Sequence, residues 1–314
     1  ITKVREMIVN AIPKTLKNAI GAGIGLYIAF IGLKNAGVIV SSESTSVTLG
    51  TLSQPSVVLA LIGLLLTAVL VIRNVRGGML ISILAITVLG IPFGVTQYSG
   101  IVSSVPSLKP IFMQFEWSQI VSWDMVVVVL TFLFIDMFDT IGTVVGVSVK
   151  SGMVDKDGKV DGINKVLMAD AVATTAGACL GASTTTTYIE SASGVAEGGR
   201  TGLTAFTVAL CFAIALIFSP LFLAIPNAAT GPVLVIVGVM RGSPVMKIDW
   251  NDYSEAIPAF LTMLLMPLAY SISDGIMIGM ISYVLVNVCT GKHQKVSPMM
   301  WILAILFTMK YLLS

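Results

Sequence analysis

Two carboxylates lie about halfway along one apolar stretch of the chain, where charged residues are rare. Asp136 and Asp139 fall within the stretch 124–147, and Thr143 follows Asp139 by about one helical turn. In a helix these three side chains lie near one face. A charged side chain at the centre of a membrane helix costs about 2.5–3.5 kcal/mol on insertion scales. Such groups could bind a ligand or take up a proton; the alternative is a buried pair that hydrogen-bonds neighbouring helices.

A third carboxylate, Glu190, follows a run of hydroxyl-bearing residues between two apolar segments. The run begins at Ser183, contains four consecutive threonines and leads into the small residues 191–194. β-Branched residues favour extended backbone, which survives at membrane depth only inside protein or along a polar cavity. We therefore expect a broken segment over 183–197, with an extended strand followed by a half-helix. Glu190 then hydrogen-bonds a ligand, or it only caps its own half-helix.

Asp170 lies about two turns into the next predicted helix, 165–182. It could hydrogen-bond the helix of Asp139 or the threonine run, and so support the site. Equally, it could face the cytoplasm, since aspartate is favoured near the start of a helix. The sequence leaves both interpretations open.

The composition indicates a polytopic membrane protein. Of 314 residues, 56% are hydrophobic and only 11% are charged, whereas a soluble domain averages about 25% charged residues. The longest polar stretches leave no room for a sizeable soluble domain. There is no basic stripe with interleaved aromatic residues, so we expect no nucleic-acid partner.

Metal and cofactor chemistry has little support in the sequence. The three cysteines, Cys179, Cys211 and Cys289, lie within apolar stretches and are typical of small core residues. The single histidine, His293, lies in a loop flanked by lysines. Because a metal site of the His/Cys type needs several such ligands, we predict no metal site and no cofactor.

Ten apolar stretches have the length and composition of membrane spans. The segment 100–118 is too polar to span, and Trp117 suits the headgroup region. We therefore expect this segment to be interfacial. The predicted spans lie near 15–33, 55–72, 78–92, 124–147, 165–182, 201–224, 228–241, 255–271, 274–290 and 298–313.

The distribution of Lys and Arg predicts the orientation. If the first span leaves the cytoplasm and 183–197 counts as one crossing, 15 of the 18 Lys and Arg residues are cytoplasmic. Only Lys34, Lys109 and Lys310 then lie on the other side. This asymmetry satisfies the positive-inside rule. Without the crossing at 183–197 every later loop would be inverted, so the charges favour a full crossing there.

Two parts of the chain are weakly similar in their order of features. Ile12-Pro13 and Ile225-Pro226 each precede a glycine-containing helix, a linker and two apolar helices. The block 124–224 between them has no such partner. Duplicated transporters carry matching blocks in both halves. We therefore expect a portion of the protein to precede residue 1.

Three motifs carry a resemblance to a known family. They are Asp139-Thr-Ile-Gly-Thr143, the pair Ala169-Asp170, and the run from Ser183 to Gly194. These resemble the nucleobase/ascorbate transporter family, most of all its azaguanine-resistance branch, the adenine/guanine/hypoxanthine permeases. The likeness runs the whole length of the chain, including Gly231-Pro232.

The resemblance implies an all-α, inverted-repeat, uracil-permease-like fold of about 14 membrane segments, of which the first four are absent here. It also implies a homodimer through the gate domains. The implied domains are the first gate-domain helices at 1–99, the interfacial segment at 100–123, the second half of the core (substrate) domain at 124–224, and the second gate-domain helices at 225–314.

The implied function is import of purine nucleobases by proton symport across the plasma membrane, which is the inner membrane in bacteria. The carboxylates that hold the base in the related uracil permease correspond to Asp139 and Glu190, and the family's histidine position falls on Thr143. We expect further substrate contacts from Tyr188, Ile189 and Ser191. The candidates for proton coupling and its support are Asp136, Asp139 and Asp170.

Two other classes of function share features with this chain. An anion transporter or channel of the sulfate-permease type shares the fold, but anion sites favour neutral or positive pockets, and two carboxylates argue against it. An intramembrane aspartyl protease uses paired aspartates, but it needs a Gly-x-Gly-Asp motif on a second helix, and the chain has none. The sequence therefore predicts a transporter and not an enzyme.

Overall fold

The computed structural model describes residues 12–118, separate positions from 122 to 148, and residues 162–188, 191–196 and 198–313. Three predicted site residues, Asp139, Ile189 and Glu190, lie outside the described residues. Each described position from 125 to 148 is helical, and this element is called the Asp136 helix below.

The remaining elements follow one another along the chain. The first part contains α1 (Lys14–Asn35), β1 (Ile39–Ser42), β2 (Ser46–Leu49), α2 (Pro55–Ile72) and α3 (Gly78–Leu89). The middle part contains α4 (Ile163–Cys179), α5 (Ser191–Ala196), α6 (Gly202–Ile217) and α7 (Ser219–Leu223). The last part contains α8 (Asn227–Arg241), α9 (Tyr253–Leu268), α10 (Ile272–Cys289) and α11 (Pro298–Leu313), with short 3₁₀ turns at Ser243–Lys247 and His293–Lys295.

The predicted class, a polytopic helical membrane protein, is confirmed. Four helices of the described part are long and apolar enough to cross a bilayer. Shorter apolar helices occupy most of the other predicted spans. The four long segments are Lys14–Asn35, Pro55–Ile72, Asn227–Lys247 and Ile272–Cys289.

One element was not predicted, a β-hairpin in the polar stretch after α1. Strands β1 and β2 pair antiparallel, with Ile39 opposite Leu49 and Ser42 opposite Ser46. Ser46 has a left-handed φ of 63°, which allows the tight reversal of the chain. The helical class therefore includes a small two-stranded hairpin.

The predicted span 201–224 is divided into two helices. Helix α6 ends at Ile217, and α7 starts at Ser219 with Pro220 in its first turn. Proline has no backbone N–H and restricts the residue before it. A continuous helix is therefore interrupted at this position.

The chain forms two compact units. One runs from Ser104 to Leu216, and is called the 104–216 unit. The other, the two-part unit, combines the described residues 12–103 with those from Ile217 onward. It contains α1–α3, the hairpin and α7–α11.

Helices α1 and α8 make the most extensive helix–helix contact among the described residues of the two-part unit. A Cβ added at Gly25 would lie 2.7 Å from the carbonyl oxygen of Gly238, and one added at Gly32 would lie 2.5 Å from that of Gly231. Small residues at such crossings let helix backbones approach closely in membranes. These glycines therefore make α1 and α8 a tightly packed antiparallel pair.

A charged cluster joins the start of α9 to the loop after α10. Asp252 is the N-cap of α9 and accepts hydrogen bonds from both the backbone N–H and the hydroxyl of Ser254, at 3.0 and 2.6 Å. Lys292 Nζ lies 3.1 Å from Asp252 Oδ1, and Lys295 Nζ lies 3.2 Å from Oδ2. The Ser254 hydroxyl and the two lysines hold the pKa of Asp252 well below its usual range.

Candidate functional site

The chain reverses at the end of α4, so that the threonine run, residues 183–188, lies back along α4. The amide of Ala182 donates to the carbonyl of Gly177 at 2.9 Å, and that of Gly181 donates to Ala178 at 3.0 Å. These two bonds form a Schellman motif, in which the residue after the C-cap adopts a left-handed conformation. Gly181 does so, with a φ of 77°, because glycine has no Cβ to resist it.

The threonine run, residues 183–188, has neither helix nor strand assignment and is tied to α4 by side chains. Thr174 Oγ1 donates to the carbonyl of Thr185 at 2.9 Å. A Cβ added at Gly177 would lie 2.7 Å from Thr185 Oγ1. The glycine therefore allows the run to lie close against α4. The expected extended strand is not observed over 183–188, while α5 is a short helix within the expected broken segment.

A second tie joins the threonine run to the Asp136 helix. Thr140 Oγ1 donates to Asp170 Oδ1 at 3.0 Å and lies 2.9 Å from Thr186 Oγ1. Both Thr140 and Asp170 are buried. Asp170 of α4 thus contacts the Asp136 helix directly and the threonine run through Thr140. This geometry favours the supporting position over the cytoplasm-facing one.

Three of the buried polar residues that the structure describes on the Asp136 helix lie along one face. Asp136, Thr140 and Thr143 follow one another at spacings of four and three positions, and all are buried. Thr143 is only 2% exposed, and its Oγ1 has no hydrogen-bond partner among the described residues. A buried hydroxyl usually has such a partner. This one is therefore available to bond a ligand or a water molecule.

Tyr188 and Ser191 lie at the junction between the threonine run and α5. The Tyr188 side chain is 66% exposed, and its carbonyl accepts from the amide of Ser191 at 3.2 Å. Beyond α5, the guanidinium of Arg200 donates to the carbonyls of Val195 and Gly199. The short helix is thus held at its C-terminal end by a cation.

Sequence reasoning missed two residues of this site, Thr140 and Thr186. The signal for Thr140 was present, because it lies four positions after Asp136 and three before Thr143, on one helical face. Thr186 carried no comparable signal within a run of four identical residues. In the described part of the chain, no group of three or more His, Cys, Asp or Glu residues could hold a metal ion.

The apolar helices, the threonine run after α4 and the polar face of the Asp136 helix define a multi-pass membrane transport protein. Residues 1–278 match the model of the permease family, and the chain belongs to that family. It is accordingly a transporter and not an enzyme.

Curated relatives match nearly the whole chain. A permease of Methanocaldococcus jannaschii is 47% identical over 312 residues, which cover 99% of this chain and 72% of the relative. The guanine/hypoxanthine permease PbuG of Bacillus subtilis is 43% identical over 316 residues, 99% of this chain and 71% of its own. The adenine permease AdeQ of Escherichia coli is 39% identical over 311 residues, which cover 99% of this chain and 70% of the relative. The predicted resemblance is thereby confirmed.

Proposed function

We propose that this permease imports purine nucleobases of the adenine, guanine and hypoxanthine class. The observation that carries the proposal is the similarity to PbuG and AdeQ, whose names specify these bases, at 43% and 39% identity over 99% of this chain. Since the similarity covers the 104–216 unit as a whole, it includes every residue of the candidate site.

In the proposed complex, Asp139 and Glu190 accept hydrogen bonds from the ring N–H groups of the base. An ionised carboxylate only accepts hydrogen bonds, so it suits such donors. Thr143 supplies a hydroxyl to another edge of the base. Its burial and its unpartnered Oγ1 within the described residues support this role.

The remaining contacts come from the junction that follows the threonine run. Backbone groups around Ile189 and Ser191 complete the hydrogen-bonded edge, and Tyr188 stacks on the base or forms a wall of the pocket. The large exposed fraction of the Tyr188 side chain supports this role, because its ring is accessible to a ligand. Aromatic rings pair favourably with other planar rings.

Proton symport drives the import. One buried carboxylate takes up the coupling proton, and the candidates are Asp136, Asp139 and Asp170. Ionisable residues inside transporter helices commonly form such proton relays. The hydrogen bond from Thr140 to Asp170 supports a coupling role, because it connects a candidate carboxylate to the threonine run.

The domain assignment follows the implied architecture. Residues 124–224 belong to the substrate-holding core domain, while 1–99 and 225–314 form the gate domain, through which a homodimer assembles in the cell membrane. Residues 100–123 form an interfacial segment. The exposed side chains of Phe112, Phe115 and Trp117 support this last assignment, since aromatic residues favour the headgroup region.

The test is equilibrium binding of radiolabelled hypoxanthine to the purified chain in detergent. Unlabelled adenine, guanine, uracil and sulfate compete, and Glu190→Gln and Asp139→Asn are measured alongside. We expect saturable binding that purines displace and that both substitutions weaken at least tenfold, as for loss of a hydrogen bond to a charged group. A folded chain that binds no purine, or one from which sulfate displaces the label, would contradict the proposal.

Proton coupling needs a separate measurement. Hypoxanthine uptake into proteoliposomes is followed with and without an inward proton gradient. We expect the gradient to drive accumulation, and the substitution of the coupling carboxylate by its amide to abolish that accumulation while exchange persists at saturating hypoxanthine. If Asp136→Asn, Asp139→Asn and Asp170→Asn each retained full gradient-driven accumulation, none of the three would carry the proton.

A further inference from the structure

The hydroxyl of Thr140 joins three segments of the 104–216 unit. It lies on the Asp136 helix, 3.0 Å from Asp170 of α4 and 2.9 Å from Thr186 of the threonine run. Its side chain is fully buried, with 0% exposed. A single hydroxyl thus links the Asp136 helix, α4 and the threonine run.

While Asp170 is ionised, the hydrogen bonds of this hydroxyl run in one direction. An ionised carboxylate can only accept, and a threonine hydroxyl has one proton to donate. Because Thr140 donates its proton to Asp170, it must accept in its contact with Thr186. The order is therefore Thr186 to Thr140 to Asp170, and the carboxylate orients both hydroxyls.

The threonine run also contacts α4 through residues other than Thr140. Thr174 donates to the carbonyl of Thr185, and the run lies close against Gly177. Loss of the Thr140 hydroxyl would therefore leave the run attached to α4. What would change is the position of the run relative to the Asp136 helix.

We propose that Thr140 is a positioning residue for substrate binding. It sets the distance between the Asp136 helix, which carries Thr143, and the run that leads to Tyr188, without itself touching the substrate. The inference rests on the proposed function, because the ligand whose affinity it controls is the purine. The sequence spacing places Thr140 on the same face as Asp136 and Thr143, and the three-way contact assigns it this role.

The experiment compares Thr140→Val with Thr140→Ser in the full chain. Valine keeps the shape and removes the hydroxyl, whereas serine keeps the hydroxyl. We expect Thr140→Val to raise the hypoxanthine Kd about tenfold, on the order of one lost hydrogen bond, and Thr140→Ser to stay within about twofold. The matched control is Thr207→Val in α6, whose hydroxyl, among the described residues, bonds the carbonyl of Leu203 in its own helix; the Kd of this variant should not change.

A second variant removes the same contact from the other side. Thr186→Val leaves the bond between Thr140 and Asp170 in place, so it tests the contact even if Thr140→Val does not fold. We expect Thr186→Val to raise the Kd as well. The double variant should be weaker than the parent by less than the product of the two single effects, because both substitutions remove one shared contact.

Each outcome has a defined meaning. Parent-like binding by a folded Thr140→Val or Thr186→Val would overturn the positioning role and leave the proposed function intact. Equal losses in Thr140→Val and Thr140→Ser would also overturn it, because the shape and not the hydroxyl would then matter. If the folded parent chain bound no purine, the proposed function would fail first and the positioning role with it.

Discussion

Gly25 of α1 faces Gly238 of α8 so closely that a methyl group on Gly25 would lie 2.7 Å from the Gly238 carbonyl oxygen. The same relationship recurs seven residues along each helix, between Gly32 and Gly231. Seven residues are about two helical turns, so the two contacts lie on one side of each helix. The pair α1–α8 is therefore packed backbone against backbone.

This contact predicts a steric effect of alanine. We expect Gly25→Ala to destabilise the protein by about 1–3 kcal/mol, the usual cost of an added methyl group in a packed interior, because a carbonyl oxygen cannot move aside as a side chain can. Gly21→Ala on the same helix is the control, since its Cβ would meet only Pro244 Cγ at an ordinary 3.7 Å. Thermal unfolding in detergent measures both variants. Equal melting temperatures for the two would contradict the described packing.

A second prediction separates binding from stability at Thr143. Thr143→Val removes a hydroxyl that has no partner among the described residues, so the melting temperature should be unchanged or slightly higher. The hypoxanthine Kd should rise several-fold, on the order of one neutral hydrogen bond.

The contrasting variant is Thr67→Val in α2. The Thr67 hydroxyl bonds the Gly63 carbonyl and the Ser82 hydroxyl, both at 2.7 Å, within the two-part unit. This substitution should lower the melting temperature and leave the Kd unchanged. If Thr143→Val lowered stability as much as Thr67→Val and did not affect binding, the Thr143 hydroxyl would be structural.

A third prediction concerns the contact between α4 and the threonine run. Gly177→Ala places a methyl group 2.7 Å from Thr185 Oγ1, so that the Thr185 side chain must rotate or the run must shift away from α4. We expect a loss of hypoxanthine affinity of about fivefold to tenfold, at most about 1.4 kcal/mol, with a minor change in melting temperature. Gly202→Ala at the start of α6 is the control, because no atom lies within 4 Å of its added Cβ. Unchanged binding by Gly177→Ala would mean that the run tolerates displacement.

A fourth prediction follows from the lowered pKa of Asp252. A carboxyl group whose pKa is lower in the folded than in the unfolded protein stabilises the fold above the unfolded value of about 3.9, and this stabilisation is lost as the pH falls toward the folded value. We therefore expect Asp252→Asn to lower the melting temperature by an amount that is constant from about pH 5 to pH 8 and shrinks below about pH 4. High salt should reduce the difference, since exposed charges are screened.

Asp252→Ala distinguishes the cap of α9 from its ion pairs. Asparagine is as good an N-cap as aspartate, so Asp252→Asn isolates the contacts with Lys292 and Lys295. Alanine removes the cap as well and should lower the melting temperature further. If the two variants melted at the same temperature, the N-cap hydrogen bonds would contribute nothing measurable.

Most of the helices could be predicted from the sequence, because the length of each apolar stretch and the positions of the prolines determine where a helix begins and ends. The predicted span 55–72 coincides with α2, where Pro55 occupies the first helical position. Proline is favoured at this position. The hairpin at Ile39–Leu49 was not predicted, since its strands are four residues each and lie in a serine- and threonine-rich stretch without strict alternation.

The candidate site could be predicted only in part. Motif position and burial cost pointed to the carboxylates and to Thr143, since an ionisable group in an apolar segment stands out in a sequence. The hydroxyl contacts could not be predicted, because threonine is common in membrane helices and usually bonds its own helix, as Thr207 does. Only the position of Asp170 opposite Thr140 distinguishes one such threonine from another.

The Schellman turn at Gly181 also has a consequence for how the protein assembles. Because the chain reverses there, the bond between Thr174 and Thr185 joins residues only 11 positions apart, whereas Gly25 and Gly238 are separated by more than 200. Short loops close at a lower entropic cost and form earlier than long ones. The threonine run can therefore dock on α4 as soon as the two have been synthesised, while the α1–α8 pair must wait until α8 has been made.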